Sequence, residues 1–190
     1  MIHPEPTDAL VVVDVQKDFL PGGALGVPRG DEVVAPLNEA LRAYAGAKRP
    51  VFATRDWHPQ NHCSFQAQGG PWPPHCVADT SGAAFAEGLV LPQGAQIVSK
   101  ATEAGQDAYS GFAGTDLGAR LAAAGVRRVV VGGLATDYCV LNTVLDARRA
   151  GLEVVVLEDC IRAVEVTPGD GTRAIAQMTQ AGARLDRVGP

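Results

Sequence analysis

The stretch VVVGGLATDYCV, residues 129–140, joins an apolar run to two glycines and then reaches a cysteine. Its β-branched residues 129–131 are typical of a strand buried on both faces. With Thr136 as the N-cap of a following helix, Cys139 lies in the first helical turn, where backbone N–H groups favour a thiolate. A packed core cysteine fits this position equally well, so the rest of the chain has to decide between the two.

Similar runs recur along the chain and predict further strands at residues 9–15, 51–54, 97–99 and 154–157, with a weak one at 183–188. Helical periodicity follows Asp31, a plausible N-cap, and recurs at residues 116–124, 138–150 and about 172–181. Gly125 and Gly151 suit the ends of two of these helices. This alternation predicts an α/β protein whose open parallel sheet carries helices on both faces.

Composition narrows the class of protein. The 190 residues, 46% hydrophobic and 19% charged, indicate one domain over residues 1–190. A net charge of −5 without a basic stripe argues against a nucleic-acid partner, and no apolar run is long enough to span a membrane. The N-terminus lacks the features of a signal peptide, and the four cysteines form no CxxC pair, so we expect a cytoplasmic protein with free thiols. A homo-oligomer is compatible with the sequence, which holds no signal that decides it.

Polar residues follow four of the expected strands. Asp14, Asp56, Lys100 and Cys139 each stand at or just beyond a strand's carboxyl end, where open α/β sheets bind ligands. If they converge, Asp14 can take the thiol proton of Cys139 and later deliver it to a leaving group. Lys100 can hold that carboxylate and balance its charge.

The long loop after Arg55 holds both tryptophans and three of the four histidines, which indicates a functional site. Asp56 and His58, two residues apart, point to the same side of an extended chain, and His75 follows in the same loop. One carboxylate and two imidazoles suit zinc, iron(II) or manganese(II). Three roles are open for His62: a fourth metal ligand, a hydrogen-bond donor to one of the ligands, or a residue that contacts the substrate.

Three aromatic residues stand near these groups in the sequence: Phe19, Trp72 and Tyr109. Aromatic residues make up only 5% of the chain, so this placement favours a lined pocket for a flat ligand. Ordinary core or loop packing remains the alternative for each of them.

Five motifs, in this order, resemble the nicotinamidases of the isochorismatase-like cysteine hydrolase family: VVDVQKDFLPGGAL, RDWHPQNHCSF, WPPHCV, KATEAGQDAYSGF and VVGGLATDYCV. The resemblance implies a six-stranded parallel sheet and a catalytic triad of Asp14, Lys100 and Cys139. It also implies a cis peptide bond before Ala135, whose N–H would form an oxyanion hole with that of Cys139. Ala101 departs from the glycine that the family often has after the lysine.

The resemblance further implies a divalent metal ion on Asp56, His58 and His75, with zinc favoured, and pocket walls from Phe19, Trp72 and Tyr109. The activity it implies is hydrolysis of nicotinamide to nicotinate and ammonia through a thioester. Two alternatives stay open at this point. One is another hydrolase of the family, such as a carbamoyl amidase or an isochorismatase, and the other is a non-catalytic metal-binding or redox-sensing domain.

Overall fold

A single parallel sheet forms the centre of the computed structural model, which describes residues 3–189. Its strands lie side by side in the order β3-β2-β1-β4-β5-β6. This confirms the predicted open parallel sheet and the six strands that the family resemblance implied. The strands are β1 (Asp8–Val13), β2 (Val51–Asp56), β3 (Gln96–Lys100), β4 (Arg128–Leu134), β5 (Glu153–Arg162) and β6 (Arg184–Asp186).

Helices cover both faces of this sheet. They are α1 (Val34–Gly46), α2 (Leu117–Ala123), α3 (Leu141–Arg149) and α4 (Asp170–Gln180). On one face, Leu10 and Val12 of β1 share a core with α1. On the other face, Val11 and Val13 share a core with apolar residues of α2, α3 and α4. Successive residues of a strand point to opposite faces, so every residue of β1 is buried.

Two helix starts differ from the sequence prediction. Asp31 is not an N-cap, because residues 30–33 form a 3-10 turn and α1 begins only at Val34. Thr136 is not an N-cap either, because residues 136–140 form a wide π-helical turn in which Ala135 O accepts the Val140 N–H. Cys139 therefore lies in that turn, just before α3.

The predicted helix ends agree with the structure better than the predicted helix starts do. Gly125 and Gly151 follow α2 and α3 with φ angles of 67° and 82°, in the left-handed region that favours glycine. Residues 57–95, between β2 and β3, contain only a short 3-10 turn and otherwise form the predicted long loop. Within the described residues, no helix has the length and apolar character needed to cross a membrane.

Candidate active site

The carboxyl ends of the central strands bring the predicted catalytic residues together. Asp14 follows β1, Lys100 ends β3, and Cys139 lies in the turn beyond β4. Lys100 Nζ is 2.9 Å from Asp14 Oδ2 and 3.5 Å from Cys139 Sγ, and it donates a hydrogen bond to Ala108 O at 3.1 Å. None of the three catalytic candidates is more than 6% exposed. They form one buried cluster.

Burial sets the protonation of this cluster. It raises the pKa of the Cys139 thiol well above its usual range, even though the Lys100 ammonium lowers it. The macrodipole argument from the sequence, which favours a thiolate, is therefore outweighed: the resting thiol is neutral and needs a base. Burial also raises the pKa of Asp14, while Lys100 opposes that shift. Burial alone would lower the pKa of Lys100, but Asp14 and Asp56 together raise it, so the lysine stays charged.

The two oxygens of Asp14 have different surroundings. Oδ1 accepts a hydrogen bond from the Thr54 hydroxyl at 2.6 Å. Oδ2 lies beside Lys100, but the angles there are not those of a hydrogen bond, and no group of the described residues donates to it. One ligand-type atom each of Asp14, Asp56 and Cys139 lies within 4.8 Å of the others. Asp14 thus has a buried oxygen without a hydrogen-bond donor, and its carboxylate lies close to the thiol.

The two glycines of residues 129–140 allow β4 to approach its neighbours closely. Gly133 has a φ of 132°, and a Cβ built on it would lie 2.0 Å from Val13 O. A Cβ on Gly132 would lie 2.8 Å from Cys160 Cβ. No side chain fits at Gly133, so the chain passes the end of β1 closely and carries Ala135 and Cys139 to the same cavity. The peptide bond between Leu134 and Ala135 is cis, as the resemblance implied.

Asp56, His58 and His75 also converge, with one ligand atom from each within 4.8 Å of the others. His58 Nδ1 lies 3.1 Å from Ala101 O, and His75 Nδ1 lies 2.8 Å from Pro73 O. These contacts fix Nδ1 as the donor in each ring, which leaves both Nε2 atoms free as ligands.

The ligand set fits a divalent metal ion. Burial lowers the pKa of His75, which favours the neutral imidazole that a metal needs. Asp56 is an anion, because the neighbouring Lys100 and His58 outweigh burial and lower its pKa. One carboxylate and two imidazoles leave further positions open, as in catalytic rather than structural metal sites.

His62 is placed differently from the other loop histidines. Its ring stacks on His58 with a centroid distance of 4.1 Å. Its Nδ1 lies 2.8 Å from Ser64 Oγ, and its Nε2 lies 3.1 Å from Gln106 O. Both ring nitrogens are engaged by the protein, so His62 is not among the ligand atoms that converge. It supports His58 by stacking.

Ala101 and Gln16 form hydrogen bonds to two of the candidate metal ligands. Ala101, whose carbonyl faces His58, has a φ of 51°, which explains why glycine suits this position. The Gln16 side chain is fully buried; its Oε1 accepts the Asp56 N–H and its Nε2 donates to Asp56 O, both at 2.8 Å. The sequence analysis missed Gln16, although a glutamine two residues after Asp14, near the end of a buried strand, was a signal.

Cys139 and His75 border one cavity. Phe19, Trp72 and Tyr109 all lie in its wall, where the sequence placed them. Trp72 Nε1 donates a hydrogen bond to Tyr109 Oη at 3.0 Å. The sequence analysis missed several other lining residues: Leu25, Val27, Ser64, Asp107, Tyr138 and Val164. Tyr138, next to Cys139, was the one that adjacency alone could have indicated.

Comparisons with known proteins agree with this architecture. A model of the isochorismatase domain matches residues 8–187. A curated nicotinamidase from Escherichia coli (strain K12) is 37% identical over 201 residues, which cover 95% of this chain and 94% of that protein.

Solved structures show the same similarity. The pyrazinamidase of Pyrococcus horikoshii in complex with zinc is 48% identical, with a TM-score of 0.92 over 96% of this chain and 99% of that one. A protein from L. infantum in complex with nicotinate is 37% identical, with a TM-score of 0.90 over 98% and 96%. The chain therefore belongs to the isochorismatase family.

Proposed function

We propose that this chain is a nicotinamidase, which hydrolyses nicotinamide to nicotinate and ammonia through a thioester on Cys139, with residues 1–190 acting as one catalytic domain. The observation that carries the proposal is the position of the Cys139 thiol. It lies beside Lys100 and Asp14, on an aromatic-lined cavity that His75 also lines, and Asp56 and His58 converge with His75. The curated nicotinamidases, 35–40% identical over 80–95% of this chain, support the choice of substrate.

In the acylation step, Asp14 Oδ2 takes the proton of the Cys139 thiol, and the sulfur attacks the carboxamide carbon. The developing oxyanion is held by the N–H groups of Ala135 and Cys139, which both border the cavity. The C–N bond then breaks while Asp14 returns its proton to the leaving nitrogen, so ammonia departs and a thioester remains. Lys100 keeps Asp14 in place throughout.

In the deacylation step, Asp14 takes a proton from a water molecule that attacks the thioester carbon. The same N–H groups hold the second oxyanion. The C–S bond breaks, the sulfur recovers its proton from Asp14, and nicotinate leaves. One carboxylate therefore serves as acid and base in turn, and its raised pKa suits both roles.

Asp56, His58 and His75 would hold the divalent metal ion, and we propose zinc because the Pyrococcus relative was solved with it. When bound, the ion supplies a Lewis-acid position for a lone pair of the pyridine ring. The chain's own aromatic residues orient the ring: Phe19, Trp72 and Tyr109 line the cavity beside His75.

We also propose that the protein works in the cytoplasm. A thiol nucleophile must stay reduced, and all four cysteines are free. The burial of Cys139 and the raised pKa of its thiol argue against the redox-sensor alternative, since sensor thiols are exposed and acidic.

The test is ammonia release from nicotinamide together with mass spectrometry of the protein during turnover. We expect a transient nicotinoyl adduct on Cys139, and we expect Cys139→Ser to be folded but almost inactive. Cys160→Ser is the matched control, because Cys160 is equally buried but does not border the cavity. An adduct on another cysteine, or normal turnover by Cys139→Ser, would contradict the assignment.

A further inference from the structure

Asp137 links the turn that carries Cys139 to a distant loop. Its carboxylate is half-buried and accepts two backbone hydrogen bonds, from Val164 N–H to Oδ1 and from Glu165 N–H to Oδ2, both at 2.9 Å. Two successive N–H groups on one carboxylate make a charge-assisted, bidentate contact, which is stronger than a neutral pair. No step of the proposed mechanism uses Asp137.

The loop that Asp137 holds is part of the cavity wall. Strand β5 ends at Arg162, which pairs with Leu134. Leu134 directly precedes residues 135–140, the turn that carries Cys139. Two residues later, Val164 lines the same cavity as Cys139 and Tyr138. The distance between the loop and the turn therefore sets the width of the cavity on this side.

Other hydrogen bonds of the loop stay within it. Glu165 accepts the N–H groups of Gly169 and Gly171 at 2.6 and 2.8 Å, and Asp170 Oδ2 accepts the Thr167 N–H at 2.7 Å. These contacts shape the loop and the start of α4, but they do not join the loop to the turn that carries Cys139. Among the described residues, the hydrogen bonds between residues 163–169 and residues 135–140 all end on Asp137.

We propose that Asp137 is a positioning residue that holds Val164 against the cavity and so restricts the site to flat, single-ring carboxamides. The part that concerns substrates rests on the proposed function. The physical reason is that the loop with Val164 can lie closer to the turn with Cys139 or farther from it. The bidentate contact favours the closer position, in which the cavity is narrow. When that bias weakens, the apparent affinity for a small ring falls and larger rings gain entry.

The first test compares Asp137→Asn with wild type on nicotinamide and on a bulkier amide, quinoline-3-carboxamide. The asparagine NH₂ faces one of the two N–H donors, so one hydrogen bond is lost together with the charge. We expect KM for nicotinamide to rise about tenfold while kcat changes less than about twofold, since a lost charge-assisted bond is worth about that factor. The preference for nicotinamide over the quinoline amide should fall by a similar factor.

The matched control is Asp170→Asn, which loosens the same loop but makes no hydrogen bond to residues 135–140. It should leave KM and the preference unchanged. A purely structural role for Asp137 would lower the melting temperature without separating KM from kcat, and that result overturns the proposal. Equal changes in the Asp170 variant would overturn it as well.

A second readout does not depend on amide turnover. The alkylation rate of Cys139 is measured with iodoacetamide and with the bulkier N-phenylmaleimide, and the ratio of the two rates reports the width of the cavity. We expect Asp137→Asn to raise the relative rate of the bulky reagent about tenfold, by the same lost bond. If wild type fails to hydrolyse nicotinamide while this ratio still changes, the proposed function fails and the positioning role stands.

Val164→Ala gives an independent variant in case Asp137→Asn does not fold. It removes side-chain atoms from the wall and keeps both backbone N–H donors to Asp137. The alkylation ratio should again shift toward the bulky reagent. An unchanged ratio in a folded Val164→Ala protein overturns the proposal, because Val164 would then not limit access to Cys139.

Discussion

Replacing Thr54 with valine should move the pH dependence of the reaction. The Thr54 hydroxyl donates a 2.6 Å hydrogen bond to Asp14 Oδ1, and both residues are fully buried. This bond lowers the pKa of Asp14 against the raising effect of burial. A hydrogen bond to a charged group contributes about 1.5–3 kcal/mol, and one pKa unit corresponds to about 1.4 kcal/mol. Thr54→Val, which has nearly the same shape, should therefore raise the pKa of Asp14 by about 1–2 units.

The assay is the pH profile of kcat/KM for nicotinamide, whose acid limb reports the essential base of the free enzyme. Asp14 must be ionised to take the thiol proton, so a higher pKa moves the acid limb to higher pH by the same 1–2 units or so. Stability gives a second check. A carboxyl group whose folded-state pKa is raised contributes stability at low pH that is lost as pH rises through that pKa. The variant should therefore lose more stability at pH 7 than at mildly acidic pH.

Thr143→Val is the matched control. Thr143 is also a buried threonine, but its hydroxyl accepts the Gly111 N–H at 2.9 Å and does not contact Asp14. Its loss should cost about 1–3 kcal/mol of stability, because a buried N–H is left unpaired, and the acid limb should stay in place. If the acid limb of Thr54→Val is also unmoved, Asp14 is not the base of the reaction, or its hydrogen bond does not control its pKa.

Three further outcomes are expected. Asp14→Asn should reduce kcat about 10²–10⁴-fold, more than Lys100→Ala, because it removes the proton carrier rather than its support; steady-state kinetics that rank them the other way would contradict these roles. His58→Ala should lose the metal ion in elemental analysis and lose most of the preference for nicotinamide over benzamide, and a retained preference would remove the metal from ring recognition. Gly133→Ala should lower the free energy of unfolding, measured by chemical denaturation, by at least about 3 kcal/mol, because the new Cβ meets backbone atoms. Gly94 also has a positive φ but open space around it, so Gly94→Ala should lower it by only about 1–2 kcal/mol.

Much of the fold is readable from local pattern. The apolar runs that became β1, β2, β4 and β5 and the helical periodicity of α2 and α4 depend on residues that are close in sequence. The convergence of Asp14, Lys100 and Cys139 also followed, since the carboxyl ends of parallel strands meet at one edge. The chemistry of these residues already suggested their roles and the metal ligands, and the family motifs implied the same assignment.

The starts of helices were less readable. Asp31 and Thr136 have the side chains of N-caps, yet neither caps a helix in the structure. Capping preference is worth only about 1 kcal/mol, so a favourable cap residue does not by itself fix where a helix begins.

Only the tertiary structure decided the electrostatics and the walls of the site. The sign of the pKa shift of Cys139 depends on full burial beside two carboxylates, which the helix position did not reveal. His62 is not among the converging ligand atoms of Asp56, His58 and His75, and Ser64 and Gln106 engage both of its ring nitrogens. Val164 lines the cavity, and its N–H donates a hydrogen bond to Asp137, 27 residues earlier in the chain. The shared reason is physical: periodicity records which face of an element is buried, whereas hydrogen bonds and desolvation depend on atoms that lie far apart in the chain and meet only after folding.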